Sequence, residues 1–246
     1  MLRLLCVTAH PDDECASFGG TLRLCAERGI ETCVICLTPG QAASHRGGAR
    51  SDQELAELRR AEFAASCGIL RVSKPIVLDY TDGQLHRQEL NRVVYDLTLR
   101  LRQLRPHVML TFGADGGFTG HPDHTMAGIF ATLAFQWAGR SNRYADQLHD
   151  GLTTHRTHKL YYASAGLSLP GRPPVTFSPP TAAVDIGEHL ETKIAAFKAH
   201  KTQQPLWATF EENIRKRGPT ERFHLAASVE AGPAKLETDL FADIVD

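Results

Sequence analysis

Short apolar runs alternate with longer amphipathic stretches along most of this chain, and that alternation leaves few architectures open. Residues 2–9, 32–38, 75–80 and 107–112 read as four strands, the first two apolar almost throughout. Strands of that kind belong to parallel sheets buried on both faces. Helices are predicted between them: residues 17–28, closed by Gly29; residues 51–67; and the stretch in which Leu90, Val93, Leu97, Leu101 and Leu104 recur at spacings of three and four before Pro106. The alternation with right-handed crossovers gives an α/β fold, a doubly wound, mostly parallel, Rossmann-like sheet with helices on both faces. Residues 159–164 and 182–186 are weaker strands, 185–201 a helix, and 166–180 and 202–219 read as loops with irregular pieces. At 246 residues one domain is expected, residues 1–138 forming the core and 139–246 supplying loops, late strands and a C-terminal helix.

Composition excludes several partners. With 27 basic and 28 acidic residues the chain has no net field for nucleic acid or anionic lipid, so a small-molecule substrate is expected. No stretch approaches the roughly 18 apolar residues of a membrane span, and residues 1–9 are too short for a secretory signal, which predicts a soluble, cytoplasmic protein without a membrane partner. A homo-oligomer is left open. All six cysteines fall within the first 67 residues, several inside apolar runs, as buried thiols do and disulfide frameworks do not. Cys33 and Cys36 form a Cys-x-x-Cys within a predicted strand, where residues three apart point to opposite faces, so a zinc ribbon is not expected.

Two matching tetrapeptides follow the first and fourth strands: His10-Pro11-Asp12-Asp13 and His121-Pro122-Asp123-His124. In a doubly wound sheet those strands are neighbours where the winding reverses, and their carboxyl ends flank the ligand crevice. Proline after each histidine suits the first position of a helix, and side chains three apart on one turn share a face, bringing His10 beside Asp13 and His121 beside His124. The second motif is preceded by residues 113–120, four of them glycine, which let backbone approach a ligand. Catalytic zinc takes three His or carboxylate ligands and keeps a position for water. Asp12 is then the spare carboxylate to take a proton, and a remaining histidine can serve the substrate oxygen, its tautomer held by a carboxylate such as Asp123. Spacing alone leaves open whether His121 or His124 is the ligand.

Ala9-His10-Pro11-Asp12-Asp13-Glu14 together with His121-Pro122-Asp123-His124 resembles the LmbE-like, or PIG-L, family of zinc-dependent de-N-acetylases acting on N-acetylglucosamine-containing conjugates. Arg59-x-x-Glu62 with Cys67-Gly68, the turn 79–85, Lys193-x-x-Ala196 and His200-Lys201-Thr202-Gln203 extend the likeness over most of the chain. The resemblance implies His10, Asp13 and His124 as ligands of Zn2+, or of another divalent transition metal such as Fe2+. It implies Asp12 as general base and His121 as general acid or oxyanion stabiliser, oriented by Asp123. Arg59, Glu14 and His200 are the substrate-binding candidates it suggests. Gln41 departs from the Glu that relatives often carry, and residues 137–158 match no family pattern.

Plainer readings compete. Asp12 and Asp13 could be carboxylates favoured at a helix N-terminus, worth about 0.3–1 kcal/mol each. Arg59 and Glu62 could be an intrahelical ion pair, and Glu14 a structural contact. His45, His86, His107, His149, His155, His158, His189 and His224 have no partner pattern and read as surface or packing residues. A phosphoester hydrolase would show more carboxylates and a Lys/Arg clamp, while a non-catalytic zinc or sugar-binding module would close the metal site with a fourth ligand. Residues 9–20 lack Gly-x-Gly-x-x-Gly, which disfavours a nucleotide-dependent oxidoreductase.

Overall fold

In the computed structural model, β1 (Arg3–Thr8) pairs in parallel with β2 (Glu31–Cys36) on one side and β4 (Val108–Thr111) on the other. Residues 1–149, 151–164, 176–230 and 236–244 are described. Beyond β2 lies β3 (Lys74–Val77), an edge strand, where Pro75 costs no ladder bond on its open side. Beyond β4 lie β5 (Lys159–Ala163), β7 (Thr220–Ser228) and β6 (Ala182–Asp185), giving the order β3-β2-β1-β4-β5-β7-β6. The first five strands in that order run parallel, and β7 is antiparallel to both its neighbours.

Helices α1 (Asp13–Glu27), α2 (Asp52–Leu70) and α6 (Leu190–Lys198) pack together on one face, and α3 (Leu90–Leu104) packs with α4 (Pro122–Ala138) on the other. A short α5 (Asp146–His149) caps that second layer, its Gln147 accepting from the buried Arg102 at 2.9 Å. One continuous cluster of buried side chains runs from Leu4 on β1 to Phe241 near the C-terminus. All six cysteines are free and buried within it or against it. Among the described residues no helix is long and apolar enough to cross a membrane.

Two elements correct the sequence reading. β7 falls where no strand was expected, and it separates β5 from β6. Within residues 202–219, read as loop, α7 (Trp207–Arg217) follows a 3-10 turn, Lys201–Leu206. Its signals were local: Trp207, Phe210 and Ile214 recur at helical spacing, Pro205 precedes it and Gly218 follows. Glu212 and Lys216 add an i,i+4 pair. The predicted helix 185–201 begins later, after a 3-10 turn over Gly187–His189. Most of the predicted loop 166–180 lies outside the described residues, and 176–180 carries no regular element.

Candidate metal centre and active site

β1 and β4 deliver both tetrapeptides to the same edge of the sheet, because the strands are parallel neighbours that stop at Thr8 and Thr111. Pro122 is the first residue of α4, with His121 as its N-cap. The first motif differs from expectation: α1 begins at Asp13, so Pro11 precedes the N-cap instead of occupying the first turn. Asp12 is that N-cap, in a left-handed conformation with φ 107°. For a non-glycine residue such a backbone costs on the order of 1–3 kcal/mol and persists only where surrounding bonds impose it.

Those bonds converge on Asp12. Its amide donates to Glu14 Oε2 at 2.9 Å, and Arg59 Nη2 donates to its Oδ2 at 2.8 Å. The same nitrogen donates to the Pro11 carbonyl, while Arg59 Nη1 reaches the Gly40 carbonyl at 3.2 Å. Gly40 has φ 73°, and a Cβ there would stand 2.4 Å from Arg59 Nη1, so glycine is needed on both counts. Behind this arrangement Glu14 accepts from Ser66 Oγ at 2.6 Å and pairs with His200 Nε2 at 2.8 Å, both side chains fully buried. Glu14 and His200, expected as substrate-binding residues, thus lie behind the Asp12 turn and outside the cavity lining. Arg59 lines the cavity, its Nη2 engaged by the Asp12 turn and its Nη1 by Gly40, while its Nε has no partner among the described residues. Glu62 is not its partner: it accepts from the Thr202 amide and hydroxyl, both at 2.7 Å.

Three donors meet beside Asp12. Asp13 Oδ1 lies 3.0 Å from His124 Nε2, and its Oδ2 lies 3.6 Å from His10 Nδ1 while accepting from the Ala9 and His10 amides. The far nitrogen of each imidazole is engaged: His124 Nδ1 faces the Gly116 carbonyl at 3.1 Å, and His10 Nε2 faces Asp82 Oδ1 at 3.0 Å and Asp123 Oδ2 at 3.3 Å. Phe112 stacks flat against His124, 4.2 Å between centroids. The ring nitrogens of His10, His121 and His124 fall within 4.8 Å of one another. Two imidazoles and a carboxylate, each anchored from behind, are the kinds of donor that an open divalent-metal site takes.

Charge follows geometry. Burial acts upward on the Asp13 carboxyl, but His124 and His10 hold it well below the usual carboxylate range. Burial alone would lower the His10 pKa, whereas hydrogen bonds to Asp123, Asp13 and Asp82 raise it well above the ordinary value. Burial pushes the Asp12 carboxyl up to about 6, with Arg59 opposing and Asp13 adding. His121 is shifted down by burial and by His10 and His124.

Asp123 does not orient His121 through its carboxylate. That carboxylate is fixed by the Gly83 and Leu85 amides at 2.7 and 3.1 Å and turned towards His10. It is the Asp123 backbone amide that donates to His121 Nδ1 at 3.1 Å. An Nδ1 that accepts carries no proton, so neutral His121 keeps its N–H on Nε2. Asp82, which the sequence reading passed over, completes the anchoring of His10; it sits in the turn 79–85, singled out only as a segment. Gly116, with φ 72°, supplies the carbonyl that orients His124, so the glycine loop serves a ligand residue.

A cavity of about 620 Å3 opens over these groups, lined by His10, Asp12, Asp13, His121 and His124 at its floor. One wall is α7, contributing Phe210, Asn213, Ile214 and Arg217, none anticipated because the segment was read as loop. His45, expected to be a surface or packing residue, also lines it.

Comparison with known proteins agrees with this geometry. The profile of the PIG-L family, GlcNAc-PI de-N-acetylase, matches residues 5–135. A 1D-myo-inositol 2-acetamido-2-deoxy-alpha-D-glucopyranoside deacetylase of Catenulispora acidiphila is 29% identical over 98% of this chain and 97% of its own. A diacetylchitobiose deacetylase of Thermococcus kodakarensis is 30% identical, covering 87% of this chain and 75% of its own. Among solved structures, the N,N'-diacetylchitobiose deacetylase from Pyrococcus horikoshii superposes with TM-score 0.77 at 26% identity, over 91% of this chain and 83% of its own.

Proposed function

This chain belongs to the PIG-L family of de-N-acetylases, and on that premise we propose that it hydrolyses the acetamide of an N-acetylglucosamine-containing conjugate to acetate and a free amino sugar. The observation that supports the reading is one cavity lined together by His10, Asp12, Asp13, His121 and His124, with ring nitrogens of the three imidazoles within 4.8 Å of one another. His10, Asp13 and His124 would hold the ion, taken as Zn2+, with Fe2+ the other cation such donors suit. Bound there, it would polarise the acetamide carbonyl and acidify water.

Asp12 takes the proton of the attacking water. Arg59 occupies Oδ2 of Asp12, the Asp12 side chain keeps 20% of its surface exposed, and burial shifts its carboxyl up to about 6, towards working pH. His121 offers Nε2–H to the oxygen on which negative charge develops. The proton held by Asp12 then passes to the departing amine, so the base is restored with each turnover. Asp123 and Asp82 act through His10, and Glu14 and His200 through Asp12. Six unpaired buried thiols suit a reducing compartment, so the reading includes a cytoplasmic enzyme acting on a small molecule and not on nucleic acid or lipid.

The test is Asp12→Asn, assayed for bound metal and for acetate released from N-acetylglucosaminides. Metal should be retained while kcat falls about 10²–10⁴-fold, the usual contribution of a positioned base. Retained metal with a near-wild-type rate would remove Asp12 from the mechanism.

A further inference from the structure

Arg59 and Glu62, one turn apart on α2, take separate tasks on one loop. Arg59 Nη1 holds that loop at its root, donating to the Gly40 carbonyl at 3.2 Å. Glu62 reaches its far end through Thr202: the carboxylate accepts from the Thr202 amide and hydroxyl, both at 2.7 Å, and Gly47 packs directly on that threonine. Gly47 has φ 55°, and a Cβ there would stand 2.7 Å from Thr202 Cγ2 and 3.1 Å from Thr202 Cα, so only glycine permits the approach. Beside Thr202, Gln203 Nε2 donates to Thr202 Oγ1 at 3.1 Å and reaches the His45 carbonyl at 3.5 Å.

The stretch pinned in this way is a wall of the active-site cavity. Residues 42–45 line one part of it, and Leu206, Phe210 and Asn213, at and along α7, line another. The reacting acetamide belongs at the floor with Asp12 and His121, so these walls meet what is attached to the sugar. α7 has anchors of its own: Phe210 stacks on Phe197 with 3.7 Å between centroids, and Glu211 pairs with Lys198 at 2.6 Å. Residues 43–47 lean on fewer. The Ala42 amide before them donates to Asp82 at 2.9 Å, and the tie of Arg46 to Asp52 lies in solvent, where an ion pair contributes little. Their seat is therefore set by Thr202, and that of Thr202 by Glu62.

We infer that Glu62 is a positioning residue for substrate choice: through Thr202 it seats residues 43–47 and so fixes the width of the cavity where a conjugate extends beyond the reacting sugar. Glu62 touches no reacting atom, so its loss should change how a conjugate is held more than how the amide is broken. The inference rests on the de-N-acetylase reading and deepens it, because it assigns selection among conjugates to a wall apart from the two histidine motifs.

Two substrates separate the outcomes: methyl N-acetylglucosaminide, which ends at the sugar, and N,N'-diacetylchitobiose, which continues past it. In Glu62→Ala the ratio of kcat/KM for the longer substrate to that for the shorter should fall by about tenfold or more, through KM more than through kcat. Glu62→Gln, whose amide oxygen can still accept from the Thr202 amide, should restore part of the ratio. Gly47→Ala attacks the same contact from the loop side and should lower the ratio likewise, and it carries the comparison where Glu62→Ala does not fold. Together the two changes should cost less than their separate effects combined, because they break one contact. The ratio within one preparation is independent of the fraction folded, so a merely structural defect would not move it. As a readout apart from turnover, trypsin should cut the metal-loaded Glu62→Ala protein after Arg46 about tenfold faster than the wild type. An unchanged ratio, an equal loss on both substrates, or wild-type hydrolysis of the methyl glycoside alone would overturn the positioning role and leave the reaction standing. Acetate from neither substrate, with metal bound, would overturn the de-N-acetylase reading and the positioning role with it.

Discussion

Removing the imidazole of His200 should cost this protein more stability than any surface change, for a reason visible in its partner. Glu14 and His200 both have side chains with 0% exposure, joined at 2.8 Å. Burial raises the Glu14 pKa, but His200 and Ser66 hold it lowered; burial lowers that of His200, but Glu14 holds it raised. Both shifts favour the charged forms of the pair. In His200→Ala the carboxylate keeps Ser66 and the Asp12 amide but loses the counter-charge it has among the described residues, and an uncompensated buried charge costs about 3–5 kcal/mol. At roughly 2–4 °C per kcal/mol for a chain of this size, the melting temperature should fall by about 6–20 °C. Urea unfolding with chelator present keeps metal binding from masking the loss. The same substitution in a Glu14→Gln background should cost less by about 1–3 kcal/mol, since no charge is left stranded. An equal cost in both backgrounds, or less than about 1 kcal/mol in the wild type, would refute the charged-pair argument.

Other consequences are as direct. Asp82→Asn should weaken metal binding or turnover about 10–100-fold by loosening the hydrogen bond to His10, measured by competition with a chelator and by acetate release. His107 accepts the Arg3 amide at Nδ1, and burial, with Arg3 and His158, pushes its pKa down to about 4. Because the folded value lies below the unfolded one near 6.5, its neutral form stabilises fully above that pH, and about 2 kcal/mol should be lost by pH 5. His107→Asn, compared with the wild type by urea unfolding at pH 7 and pH 5, should lose less on acidification by that amount. A Cβ on Gly128 would stand 2.2 Å from the Phe112 carbonyl, so Gly128→Ala should destabilise by about 1–3 kcal/mol or more, whereas Gly68→Ala on α2, with open space, should gain about 0.4–1 kcal/mol. Thermal melts of the two variants should move in opposite directions.

What could be read beforehand was what depends on period and on strand ends. Apolar runs mark β1, β2, β3 and β4, and the reversal of winding between β1 and β4 brings the two His-Pro-Asp motifs to one edge of the sheet. What could not be read depends on segments meeting from afar. β7 alternates weakly and is identifiable mainly by its pairing with β5 and β6; α7 has the spacing of a helix, but only three apolar anchors, Trp207, Phe210 and Ile214, among polar residues.

The same division explains the reassignments within the site. Spacing tells which side chains are close, and with the family resemblance it pairs Asp123 with its near neighbour His121 and not with His10. That pairing is reversed by the turn 79–85, whose Gly83 and Leu85 amides hold the Asp123 carboxylate towards His10 and whose Asp82 joins it there. Left to one turn of α4, His121 is served by a backbone amide instead, which assigns its proton to Nε2 and so makes it a donor to the cavity. Glu14 follows the same rule in reverse: helical position points it inward from Asp13, and only the arrival of His200 from the C-terminal segment makes a buried carboxylate there tolerable. The candidate site side chains thus come from two local motifs, whereas His10 and Asp12 are held by residues distant in sequence, Asp82 and Arg59. A single exchange at Asp82 or His200 should accordingly disturb the chemistry without altering either motif.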